Sequence, residues 1–128
     1  MTRLILLILL GLVATYYFPD SRQMLLDATE PIVVPAVRWA AKEEMGQVGE
    51  DALEHERLTG QIPDRRAWVP WLEYRYPAAE ARRDPWGSTY QIRVFADSVW
   101  IVSWGPDRER ATGDDFHVTR PRERRRGR

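Results

Sequence analysis

Three hydrophobic patterns follow one another along the chain. From Leu4 to Phe18 the residues are apolar almost without interruption and carry no charge, the composition of a helix that is covered on every side. From Ala36 the pattern turns helical and one-sided: Val37, Ala41, Met45, Val48 and Ala52 recur at spacings of three and four, and Leu58 closes the series. Lys42, Glu43, Glu50, Asp51 and Glu54 fall mostly on the other side, so this stretch predicts an amphipathic helix. Gly60 supplies its stop and Pro63 prevents resumption. Further on the period shortens to two. Tyr90, Ile92 and Val94 alternate with Gln91 and Arg93, a tight turn falls at Ala96 and Asp97, and residues 99–104 read as a second, more buried strand. A third short strand is expected at residues 116–118. The fold class these elements predict is α+β, one long helix packed on a small antiparallel sheet.

The first run predicts a transmembrane anchor over residues 1–19. At about 1.5 Å per residue its apolar part covers about 22 Å, against about 30 Å of hydrocarbon. Arg3 snorkelling at one end and Tyr16 and Tyr17 in the far interface bring the span close to sufficient. Bulky Tyr16, Tyr17 and Phe18 stand where a signal-peptide cleavage site wants small residues, which favours an uncleaved anchor. With Arg3 on the cytoplasmic side, the rest of the chain faces the periplasm from the inner membrane. Residues 20–35 read as a linker, because Pro31 and Pro35 oppose one continuous helix out of the anchor. The globular domain is expected over residues 36–118.

Composition narrows the chemistry. The chain has no cysteine and two histidines, His55 and His117, so disulfides, thiolate metal sites and Cys/His nucleophilic catalysis are all excluded. His55 has no metal-spaced partner. No nucleophile elbow, phosphate-binding glycine loop or dinucleotide fingerprint is present, and no acid/base pair stands out, so an enzyme is not expected. The net charge of zero hides an asymmetry: "TRPRERRRGR" from Thr119 holds six arginines and one glutamate, which leaves an acidic body. Residues 119–128 are therefore expected to form a disordered, solvated tail. Its charge would suit anionic lipid or nucleic acid, but no nucleic-acid partner is expected.

"RRAWVPWLEYRYP" places Trp68, Trp71, Tyr74 and Tyr76 in one proline-bounded segment. Such aromatics form the lid of a small core or, in a second reading, a platform for stacking on a sugar or base. "DPWG" is a folding element on local grounds: Asp84 forms the turn, Pro85 fixes the chain, Trp86 plugs the core and Gly87 permits the bend. "SWGPDRERATGDDF" joins the last two strands and concentrates Asp107, Asp114 and Asp115 in one loop. Three carboxylates held together without a cation repel one another, and calcium takes six to eight oxygens from such loops.

The order "LTGQIP", aromatic segment, "DPWG" followed by Tyr90, "SWGPD" and "TGDDF" is similar to the globular domain of the major pseudopilin of type II secretion, general secretion pathway protein G. The likeness covers residues 36–118. It implies a pseudopilin-like α+β fold and a calcium ion held by the side chains of Asp107, Asp114 and Asp115 and by backbone carbonyls near Trp104 and Val118. Arg108 stands where the family has glycine. The family's leader is also missing: Gly11 is followed by Leu12, and no glutamate lies between Leu4 and Phe18.

The function expected is that of a membrane-anchored, pseudopilin-like structural protein facing the periplasm and related to a type II secretion apparatus, with other pseudopilins as partners. The alternative is a tethered binding module for a glycan, peptide or anionic lipid that uses Trp68 and Trp71. No small-molecule substrate is indicated.

Overall fold

The computed structural model describes residues 2–17 and 19–123. The side chains of Arg3, Tyr16, Tyr17 and Phe18, and the tail arginines of residues 124–128, lie outside the described residues. Helix α1 spans Thr2–Tyr17. Ile5, Leu6, Leu7, Ile8, Leu9, Leu10 and Val13 on it are each more than half exposed. At about 1.5 Å per residue a helix of 16 residues rises about 24 Å. Among the described residues no helix is long and apolar enough to cross a membrane, so the transmembrane span expected from the sequence is not found there.

Helix α2 runs Pro19–Thr59. The linker expected over residues 20–35 is corrected: Pro31 and Pro35 lie inside this helix instead of ending it. Pro19 opens the helix, where its missing N–H costs nothing. Each interior proline removes one helical hydrogen bond and weakens the helix locally without forcing a new element. Contacts divide the chain into two compact units, Met1–Ala36 and Val37–Arg128.

In the second unit Ala41, Met45, Val48 and Ala52 are buried, as the spacing predicts, and they line the core with Trp68, Leu72, Tyr90, Ile92, Val99 and Ile101. Leu58 does not close that stripe: it is 80% exposed, while Leu53 packs against the core. Asp51, expected on the polar side, is buried. Gly60 ends the helix with φ 79°, and its N–H donates to the Glu56 carbonyl. A short helix α3, Trp68–Arg75, follows, with a 3-10 turn at Ala79–Arg82. Asp64 starts this segment by accepting the N–H groups of Arg66 and Ala67.

Strands β1 (Gln91–Val94), β2 (Ser98–Ser103) and β3 (Phe116–Pro121) form one antiparallel sheet in the order β1-β2-β3. Gln91 pairs with Val102 and Arg93 with Trp100; on the other side of β2, Ile101 pairs with Val118 and Val99 with Arg120. The domain end expected at Val118 is therefore corrected, because β3 continues to Pro121 and the first residues of the arginine tail are ordered. The strand alternates, with Phe116, Val118 and Arg120 half-buried and His117, Thr119 and Pro121 exposed. Arg120 and the residue after the strand, Arg122, each reach a glutamate of α2, Glu50 and Glu56 respectively.

Candidate functional site

The loop between β2 and β3 is built around its own backbone. Gly105, with φ 73°, lets the chain pass so close to the Asp114 carbonyl that a Cβ there would collide with it. The N–H of Arg108 returns to the Gly105 carbonyl at 3.2 Å. Arg108 and Ala111 both adopt left-handed backbone, φ 58° and 64°, which costs about 1–2 kcal/mol for a residue with a Cβ. A glycine would meet the Arg108 geometry without that cost.

The three aspartates have separate tasks in this loop. Asp107 is exposed and accepts the N–H of Glu109 at 3.0 Å. Thr112 and that same N–H hold its carboxyl below the ordinary value. Asp115 accepts the N–H of Ala111 at 2.9 Å and the hydroxyl of Thr112 at 3.3 Å. Asp114 lies 3.9 Å from Arg38 of α2, whose guanidinium also sits over the Phe116 ring at 5.5 Å. Trp104 is half-buried just after β2, and Val118 is a mid-strand residue of β3 packed against the core. Among the described residues no group of three acidic or histidine side chains is placed to hold a metal ion. The loop thus answers its three aspartates with backbone N–H groups, a hydroxyl and Arg38.

Asp84 is the turn former that the sequence suggests. Its Oδ1 accepts the N–H groups of Trp86 and Ser88 at 3.1 and 2.8 Å, and its Oδ2 accepts the buried Ser103 hydroxyl at 2.7 Å. The Ser103 oxygen in turn accepts the N–H of Gly105 at 3.1 Å. The "DPWG" turn and the acidic loop are thereby fastened together at the end of β2. Trp86 does not plug the core; it is half-buried and meets Phe116 edge-on at 5.9 Å.

Of the aromatic segment, Trp68 lies in the core, Trp71 and Tyr76 pack against it, and Tyr74 is 87% exposed. Trp68 is buried, donates its indole N–H to the Tyr90 carbonyl at 2.7 Å and stacks on Trp71 at 5.2 Å. His55 meets Trp71 in an edge-type contact at 6.0 Å. Asp51 gathers a cluster beside them: the hydroxyl of Tyr76 donates to it, Gln47 donates at 2.9 Å, and Arg75 lies 3.1 Å away. Burial and then the Asp51 carboxylate push the Tyr76 hydroxyl well above its ordinary pKa. Burial and then Glu44, which accepts the Tyr90 hydroxyl at 3.0 Å, do the same for Tyr90. Both clusters bind distant parts of the chain to α2, a structural use of polar groups. The signal for Asp51 was present only as a tyrosine and an arginine 24 to 25 residues later, in a segment whose path the sequence does not fix.

No protein-family model, curated protein or solved structure matches the chain.

Proposed function

We propose that the protein is a membrane-anchored structural module, with α1 as the anchor and the α2–sheet domain as the part that other proteins meet. The observation that carries this reading is the run Ile5 to Leu10, six consecutive apolar residues that are each more than half exposed. Six consecutive positions cover every face of a helix, and a helix apolar all round needs an apolar environment on all sides. Arg3 before the run favours an orientation with the amino terminus in the cytoplasm and the domain on the periplasmic side of the inner membrane. The absence of a catalytic constellation among the motifs favours a structural role over an enzyme.

A pseudopilin-like place in a type II secretion apparatus is the finer form of this proposal. A long helix leading to a small antiparallel sheet, with the "DPWG" turn tied to the loop after β2, supports it. The reading does not depend on calcium.

Cell fractionation tests the anchor. The full chain should remain with membranes after alkaline carbonate extraction, and a chain lacking residues 1–18 should become extractable. Protease added to spheroplasts should digest the domain. A truncated chain that still resists extraction, or a domain protected in intact spheroplasts, would overturn the reading.

A further inference from the structure

Five arginines of residues 37–123, Arg38, Arg75, Arg82, Arg120 and Arg122, have a carboxylate within 4.0 Å. Arg57, Arg65, Arg66, Arg83, Arg93, Arg108 and Arg110 have none among the described residues. Three of these unpaired cations come from separate parts of the chain to line one groove: Arg65 from the turn before α3, Arg93 from β1 and Arg110 from the acidic loop. The groove has a volume of about 300 Å³, and its remaining walls are Gln91, Ile92, Val102 and Trp104.

Among the described residues no carboxylate lines it, although the loop that contributes Arg110 also contains Asp107, Asp114 and Asp115. Those acids are engaged elsewhere, with the Glu109 N–H, with Arg38 and with the Ala111 N–H respectively. Arg110 is thus left without an internal counter-charge by the same hydrogen bonds that close the loop. The floor is firm: Gln91 and Val102 are partners in the β1–β2 register, Val102 and Ile92 are buried, and the Gln91 amide is fixed by donating to the Thr89 carbonyl at 2.9 Å.

We infer that this groove binds a phosphate monoester, with Arg65, Arg93 and Arg110 on the phosphate oxygens and Trp104 against the esterified group. Guanidinium groups match phosphate in a bidentate fashion. A monoester carries about −1.5 to −2 charges near pH 7, which suits three cations better than the single charge of a carboxylate. A volume of about 300 Å³ is at the lower end for small-ligand sites, enough for a headgroup or a small soluble ester. A lipid headgroup and a free metabolite present the same chemistry.

The test is calorimetry on the full chain in nanodiscs of uncharged lipid, titrated with phenyl phosphate, inorganic phosphate and benzoate. Saturable binding of phenyl phosphate is expected, with inorganic phosphate weaker and benzoate weaker still. Arg93→Gln combined with Arg110→Gln should lower the affinity at least about tenfold, and Arg66→Gln, another unpaired arginine outside the groove, should not. These exposed arginines carry no internal bond, so an unchanged unfolding midpoint will show that the variants are folded. Repeating the titration in nanodiscs doped with phosphatidic acid separates the sources. Loss of the phenyl phosphate signal there would identify a lipid headgroup, and an unchanged signal a soluble ester. Absence of saturable binding in uncharged nanodiscs, equal affinity for benzoate, or an equal loss in Arg66→Gln would overturn the inference and leave the anchoring proposal standing.

Discussion

The Arg120 side chain lies across Gly46, on the face of α2 where any larger residue at that position would have to stand. A Cβ at Gly46 would meet the Arg120 guanidinium, and one at Gly49 would sit 3.0 Å from Arg120 Cγ and 3.4 Å from Ile101 Cγ1. Arg120 Nε lies 3.1 Å from Glu50, too poorly aligned for a directed hydrogen bond, so that pair is an ion contact.

The two glycines should therefore respond differently to alanine. Alanine gains about 1 kcal/mol over glycine inside a helix. At Gly46 only the flexible tip of Arg120 must move, giving up a surface ion contact worth about 0–1 kcal/mol, so Gly46→Ala should be neutral or stabilising. At Gly49 the obstacle is the strand-held stem of Arg120 and the fully buried Ile101, and overpacking there costs about 1–3 kcal/mol. Gly49→Ala should be neutral to destabilising and always less stable than Gly46→Ala. Urea midpoints would check the order, and Arg120→Ala should let Gly46→Ala gain its full helical contribution.

The buried Asp84–Ser103 link should contribute measurably to stability. Asp84→Ala strands the Ser103 hydroxyl and two turn N–H groups, and a buried donor left unpaired costs about 1–3 kcal/mol. Ser103→Ala leaves Asp84 with both backbone donors but strands the single buried N–H of Gly105, so it should cost about 1–2 kcal/mol, less than Asp84→Ala. A midpoint of thermal unfolding falling several degrees for Asp84→Ala and clearly less for Ser103→Ala is the expected result.

Alkali should weaken the fold through Tyr76 and Tyr90. Their hydroxyls are raised above the unfolded value of about 10. A group raised on folding contributes stability that is whole below the unfolded pKa and is lost as pH rises towards the folded one. Stability should hold up to about pH 10 and fall above it. In a spectrophotometric titration these two phenols should ionise late, together with unfolding, and Tyr90→Phe should reduce the alkaline loss.

Calcium should change little. Each of the three loop aspartates already has a protein partner, so unfolding curves in calcium and in chelator should coincide. A shift of several degrees that disappears in Asp114→Ala would show that the loop rearranges around the ion.

Much of the core was legible because one rule governed it. Ala41, Met45, Val48 and Ala52 face inward at helical spacing, and Tyr90 and Ile92 at strand spacing. The errors arose where side chains answered partners far away in sequence. Asp51 looked like a surface acid until Tyr76 and Arg75 came back to it. Residues 119–122 looked like a charged tail, yet Phe116, Val118, Arg120 and Arg122 keep the two-residue period, and Glu50 and Glu56 receive the last two. The unpaired charges of Arg65, Arg93 and Arg110 carry no local signature, since only the loop and sheet together bring them to one groove.

Arg122 also determines how the domain bears load. The backbone N–H of Arg122 donates to the Asp97 carbonyl at 2.8 Å, its Nη1 to the Phe95 carbonyl at 2.6 Å, and its guanidinium grips Glu56. Tension applied at the carboxyl end would reach the β1–β2 turn and α2 at once, instead of peeling β3 away one pair at a time. A fusion partner joined after Glu123 would pull on this clasp, whereas a chain cut at Val118 would have no clasp at all.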